Sequence, residues 1–157
     1  MKVKRLLSHD EFEVEGELKI GDIVKTSGTF AIVVDIIHEE PEIVKYLNVD
    51  AEKVRKFMPD LALRGRIAKC ISLVCKRPPE PGEDVELADF SDLREIHFSN
   101  GEFCMPYLTS LIRKCRDRLW IVKEYLNTLM DAIPEEREVI EIIRAEVEYG
   151  MLRGVEL

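Results

Sequence analysis

The stretch Lys76–Ile96, KRPPEPGEDVELADFSDLREI, limits the possible folds more than any other part of the chain. Pro78, Pro79 and Pro81 each fix φ and remove a backbone donor, so Arg77–Gly82 cannot lie inside a sheet and must form a stiff, extended corner. Gly82 follows a residue of fixed φ and is the position where a positive φ is expected. Glu83–Asp89 then alternates, with Val85 and Leu87 on one face, and a helical pattern begins near Asp92. Residues before the corner read as strands, and residues after it read as helix.

The first fifteen residues alternate around Ser8–Asp10, with Phe12 and Val14 set between glutamates, as one or two half-buried strands would require. Leu18 and Ile20 share a face, Gly21-Asp22 supplies turn chemistry, and Ile23-Val24 opens the next strand. Short strands broken this often have to curl, which predicts a small β-barrel. Thr29–Ile37, TFAIVVDII, is almost continuously apolar and predicts a central strand covered on both faces, with Asp35 its one charged member. Pro41–Phe57 changes to helical spacing, so a helical insertion is expected over about 41–58. Arg64–Val74 then runs as a long strand into the proline corner.

Beyond the Ser99-Asn100-Gly101 turn, the residues Leu108, Ile112, Cys115, Leu119, Val122, Leu126, Leu129 and Ile133 are spaced 4-3-4-3-4-3-4. This heptad seam predicts one long helix. Asp131–Glu136 stops and restarts the pattern with Pro134, and Val139, Ile140, Ile143, Val147 and Met151 give a second helix its apolar face. The expected architecture is α+β: a mainly β part over 1–97 forming a small barrel, and a C-terminal helical hairpin over 104–157. Trp120 and Ile121 lie off the seam, so with Tyr125 they are expected to form an apolar surface that is covered either by a partner chain or second copy, or by the barrel within the same chain.

The net charge of −8 works against broad attraction to nucleic acid. Residues 104–133 hold 5 basic and 3 acidic side chains, and residues 134–157 hold 3 and 7, so a basic helix flank is expected to face an acidic one, with Arg116, Arg118 and Lys123 opposite the last glutamates. Arg64, Arg66, Lys69 and Arg77 are the candidates for nucleic-acid contact at the barrel rim, but no stacking aromatics are interleaved with them. Cys70, Cys75, Cys104 and Cys115 contain no CxxC pair and read as small buried hydrophobes in a reduced protein, not as a zinc set. No apolar run approaches the ~20 residues of a membrane span, and a cytoplasmic protein is expected.

Lys19–Val24 (KIGDIV), Arg64–Ile67 (RGRI) and Arg77–Asp89 (RPPEPGEDVELAD), in this order within a short-stranded barrel, resemble the HAS barrel. That is the small β-barrel at the front of archaeal HerA-type DNA translocases and of rotary ATP synthase subunits. The resemblance covers roughly residues 1–97 and is closest over the proline string. In those proteins the barrel leads into a P-loop ATPase, but this sequence holds no G-x-x-x-x-G-K-[ST], so ATP hydrolysis is not implied. The resemblance implies assembly and docking of protein partners, such as the nuclease that works with the translocase.

No catalytic residue, metal ligand or cofactor site is expected: the sequence contains no HExxH, Gly-rich phosphate loop or nucleophile motif. The leading expectation is a non-enzymatic adaptor or assembly module that binds protein. A nucleic-acid-binding barrel, and a metal-binding enzyme built on His38, His97, Asp35 or the cysteines, are the competing readings.

Overall fold

The computed structural model describes residues 1–38 and 66–153. Arg64 and the helical insertion expected over 41–58 lie outside the described residues. The chain divides into two compact units, Met1–Leu87 and Ala88–Leu157. This division falls ahead of the one expected at residue 97, because Phe90–His97 is a helix held to later helical segments. Arg94 Nη1 donates to Ala132 O (3.2 Å), and the same guanidinium pairs with Glu135.

The first unit is a curled antiparallel sheet of β1 (Lys2–Leu6), β2 (Glu11–Glu15), β3 (Ile23–Lys25), β4 (Thr29–His38), β5 (Arg66–Cys75) and β6 (Glu86–Leu87), in the order β1-β2-β5-β4-β3-β6. Alternation assigns the faces: Phe12, Val14, Ala31, Val33, Ala68 and Cys70 belong to one core inside the curl. Ile32, Ile67 and Ile71 alternate with them, project to the other face, and are buried too. The two long strands are therefore covered on both faces, as the apolar run of β4 predicts. A bulge between Val33 and Asp35 shifts the register there. The shift returns Ile36 to the core and leaves Asp35 half-buried opposite Lys69, so the strand's one charge avoids the interior.

The proline corner closes the half-barrel. Its prolines have no donors to give, and the pairing passes to their neighbours: Gly82 N donates to Val3 O (2.7 Å), Val3 N to Glu83 O (2.9 Å) and Val85 N to Met1 O (2.9 Å). Gly82 has φ +87°, the left-handed region expected of it. Gly82→Val should therefore cost about 1–2 kcal/mol through backbone strain alone, since a Cβ there would touch nothing within 4 Å. Thermal melting followed by circular dichroism checks this, and an unchanged midpoint would mean that the corner relaxes.

The second unit begins with α1 (Phe90–His97), opened by a reciprocal capping box in which Asp89 Oδ1 accepts from Asp92 N (2.8 Å) and Asp92 Oδ2 from Asp89 N (2.9 Å). A small hairpin of β7 (Phe98–Ser99) and β8 (Glu102–Phe103) follows, turned by Asn100 and Gly101 at φ 54° and 81°. The heptad seam does not form one long helix. It is divided into α2 (Leu108–Lys114), a 3₁₀ turn (Arg116–Arg118) and α3 (Leu119–Ala132). Leu108 and Ile112 are only half-buried, whereas Leu111, off the seam, is fully buried. Packing has therefore chosen a different face for the first segment, and the chain bends at Arg118 (φ −140°, ψ 48°) to permit it.

A second 3₁₀ turn (Pro134–Glu136) leads to α4 (Arg137–Arg153), which packs with α3 as the helical pair the sequence predicts. Lys123 pairs with Glu148 (2.9 Å), and Arg144 donates to Asn127 (2.7 Å). Arg116 and Arg118 belong to the 3₁₀ turn ahead of α3, not to its helical flank.

Candidate functional site

The polar constellation of the second unit forms where α1 ends. His97 is fully buried at the last position of that helix, and its Nδ1 lies 2.6 Å from Leu93 O one turn back. A carbonyl can only accept, so Nδ1 carries the proton and Nε2 presents a lone pair. The β7–β8 hairpin then reverses the chain, with Cys104 N bonded to His97 O (2.8 Å), and so returns Tyr107 to the ring. Tyr107 Oη is 2.5 Å from Nε2 and donates to it. Tyr125, from the middle of α3, approaches Tyr107 Oη at 2.6 Å and Nε2 at 3.2 Å. The single lone pair of Nε2 is already used by Tyr107, so Tyr125 donates to the Tyr107 oxygen. Phe103 stacks on the imidazole at 6.0 Å, and Tyr107 meets it edge-on at 5.5 Å.

Every proton in this chain thus has an acceptor, and the network is neutral. Burial holds the His97 imidazolium off, lowering its pKa, and burial likewise pushes both phenols upward. With its donors and acceptors satisfied inside the core, the network ties the end of α1, the segment after the hairpin and the middle of α3 to one another. The arrangement specifies packing.

The sequence-predicted site residues are not brought together. Ile121 and Tyr125 are fully buried, so the apolar surface expected of Trp120, Ile121 and Tyr125 reduces to Trp120, which is 46% exposed. On a helix, Trp120 and Ile121 are 100° apart, and the seam was too narrow a guide to the buried arc: α3 also buries Ile121, Tyr125 and Met130. Arg66 Nη2 donates to Leu18 O (3.0 Å), and Lys69 pairs with Glu11 (3.5 Å). Arg77 is part of a latch at the proline corner, where Glu83 accepts from Ser27 Oγ, Ser27 N (3.2 Å), Glu80 N (2.9 Å) and Arg77 Nη2 (2.9 Å). These donors, Ser27 foremost, lower the Glu83 pKa to about 2. Arg66, Lys69 and Arg77 are thus each engaged within their own unit.

His38 is exposed at the end of β4, opposite Arg66. Cys70 and Cys115 are buried, and desolvation pushes their thiols to about 12 and about 11, so neither supplies thiolate at neutral pH. Among the described residues, no group of three or more His, Cys, Asp or Glu side chains could hold a metal ion. No helix among them is long and apolar enough to cross a membrane. Tyr107 carries no signal in the sequence, because its partners lie 10 and 18 positions away and are joined to it only by the hairpin and the bend before α3.

The architecture defines a class, a curled six-stranded half-barrel followed by a helical unit. In comparisons with known proteins the chain matches no family model, no curated protein and no solved structure.

Proposed function

We propose that this protein is a non-enzymatic adaptor or assembly module that binds protein partners, and that the HAS-barrel resemblance points to partners in a DNA-processing machine. The observation that carries the reading is the contrast within the helical unit. Its polar constellation is buried and saturated, whereas Trp120, the chain's one tryptophan, is left 46% exposed. Half-exposed aromatics of this kind are common anchors of protein interfaces. The rim cations Arg66, Lys69 and Arg77 are occupied by acids, a backbone carbonyl or a serine of their own unit, which favours protein over nucleic acid as the partner.

The test is affinity capture from native extract with wild-type and Trp120→Ala baits, with sedimentation measured in parallel. The wild-type chain should retain a defined protein that Trp120→Ala retains at least about tenfold less well, at a stability cost of about 1 kcal/mol or less because the side chain is already half-solvated. A wild-type bait that captures nothing and stays monomeric at high concentration would overturn the reading. Steep salt-dependent binding of single-stranded DNA would replace it with the nucleic-acid alternative.

A further inference from the structure

We propose that the outward face of α4 is a docking surface for a basic amphipathic helix. The proposal rests on the adaptor reading and adds to Trp120 a second surface of the same unit, with the chemistry of the partner that it fits. α4 turns Ile140 and Val147 into the core, where both are buried. Away from that side, Val139, Ile142 and Tyr149 are 44%, 66% and 53% exposed. Their spacing of three and then seven places them on one stripe of the helix, with exposed Glu146 at the heptad position between Ile142 and Tyr149 and exposed Glu138 beside Val139.

Charge decides the occupant. Three acids of this region are engaged within the unit: Glu135 with Arg94, Glu141 with Arg137 (3.1 Å) and Glu148 with Lys123 (2.9 Å). Glu138 and Glu146, the two that border the stripe, have no ion-pair partner among the described residues. A helix with Lys or Arg beside its apolar seam satisfies the stripe and both carboxylates together. A second copy of the same face would instead bring glutamates against glutamates, and like charges across a helix pair oppose association.

The test uses the full chain and two fluorescein-labelled synthetic helical peptides: leucine heptads flanked by lysine, and the same heptads flanked by glutamate. Fluorescence anisotropy should show the lysine peptide binding at least about tenfold more tightly than the glutamate peptide. Ile142→Ser with Tyr149→Ser should weaken the lysine peptide at least about tenfold without changing net charge, whereas Phe90→Ser, an equally exposed aromatic on α1, should leave it unchanged. Glu138→Gln with Glu146→Gln should remove most of the salt dependence. Equal weakening by the Phe90 and the Ile142/Tyr149 variants would reduce the binding to unspecific apolar adsorption, and no weakening by either would reduce it to unspecific charge attraction; each result would overturn the proposal. A wild-type dimer dispersed by Ile142→Ser would overturn it in favour of a second copy. In the capture experiment, a partner retained by the Ile142/Tyr149 variant refutes this surface and leaves the adaptor reading standing, whereas no captured partner refutes the adaptor reading itself.

Discussion

Replacing His97 by leucine is expected to lower the stability of the helical unit by about 3 kcal/mol at pH 7, combining an imperfect fit with a buried hydroxyl left without an acceptor. Tyr107 would lose the Nε2 lone pair it now reaches at 2.5 Å, and Leu93 O would lose its side-chain donor. Tyr125→Phe should cost only about 1 kcal/mol, because the Tyr107 to His97 bond survives it. Denaturant unfolding followed by the fluorescence of Trp120, which lies in this unit, measures both. Equal losses for the two variants would mean that the three groups do not form the directed chain assigned to them.

The same network makes a pH prediction. Burial lowers the His97 pKa in the folded chain, while the unfolded chain keeps the ordinary value of about 6.5. Between these values the unfolded state binds the extra proton, so stability is full above about 6.5 and falls as pH drops toward the folded pKa. The groups facing the ring are Tyr107 and Tyr125, both neutral here, with Cys104 close to Tyr107. Glu135 and Glu148, lowered by hydrogen bonds from Arg94 and Lys123, contribute losses only below about 4.3. His97→Leu should therefore flatten the stability profile as pH falls below about 6.5. A slope retained in that variant would assign it to another group.

In the half-barrel, Arg5→Leu is expected to cost about 2–3 kcal/mol, because it leaves a buried carboxylate without its partner. Glu13 is 3% exposed, and Arg5 holds it through two bonds, Nε to Oε2 at 2.7 Å and Nη2 to Oε1 at 3.2 Å. Lys69, opposite Glu13 on β5 and engaged with Glu11, is near enough to soften the loss. The double variant Arg5→Leu with Glu13→Leu should recover most of it, since an apolar pair removes both the charge and its desolvation. Hydrogen exchange of the β2 amides reads this out. A double variant as unstable as Arg5→Leu would show that the pair contributes more than mutual compensation.

Local chemistry was legible wherever its cause is local. The three prolines forbid a strand whatever surrounds them, Gly82 after Pro81 takes the positive φ expected of it, and Asn100-Gly101 makes its turn. Thr29–Ile37 announces a strand buried on both faces because no polar side chain interrupts it before Asp35, and the α+β architecture with a C-terminal helical pair follows from the change of period along the chain.

What only the tertiary structure decided are the features that depend on which distant groups meet. The 4-3 spacing around Cys115 suits a straight helix and a bent one alike, and the choice fell to whichever face of Leu108–Lys114 buried more, which left Leu108 half-buried and enclosed Leu111. The bulge that turns Asp35 out of the core has no signature of its own, since it is a register shift against β5. Ile121 and Tyr125 became core, and Trp120 did not, because the width of a buried arc is set by the neighbours that cover it and not by the helix that presents it. His97 shows the difference most plainly: by itself a histidine between a helix and a turn can be a ligand, a base or a solvated side chain, and Tyr107 and Tyr125, brought to it through space, made it a neutral member of the core.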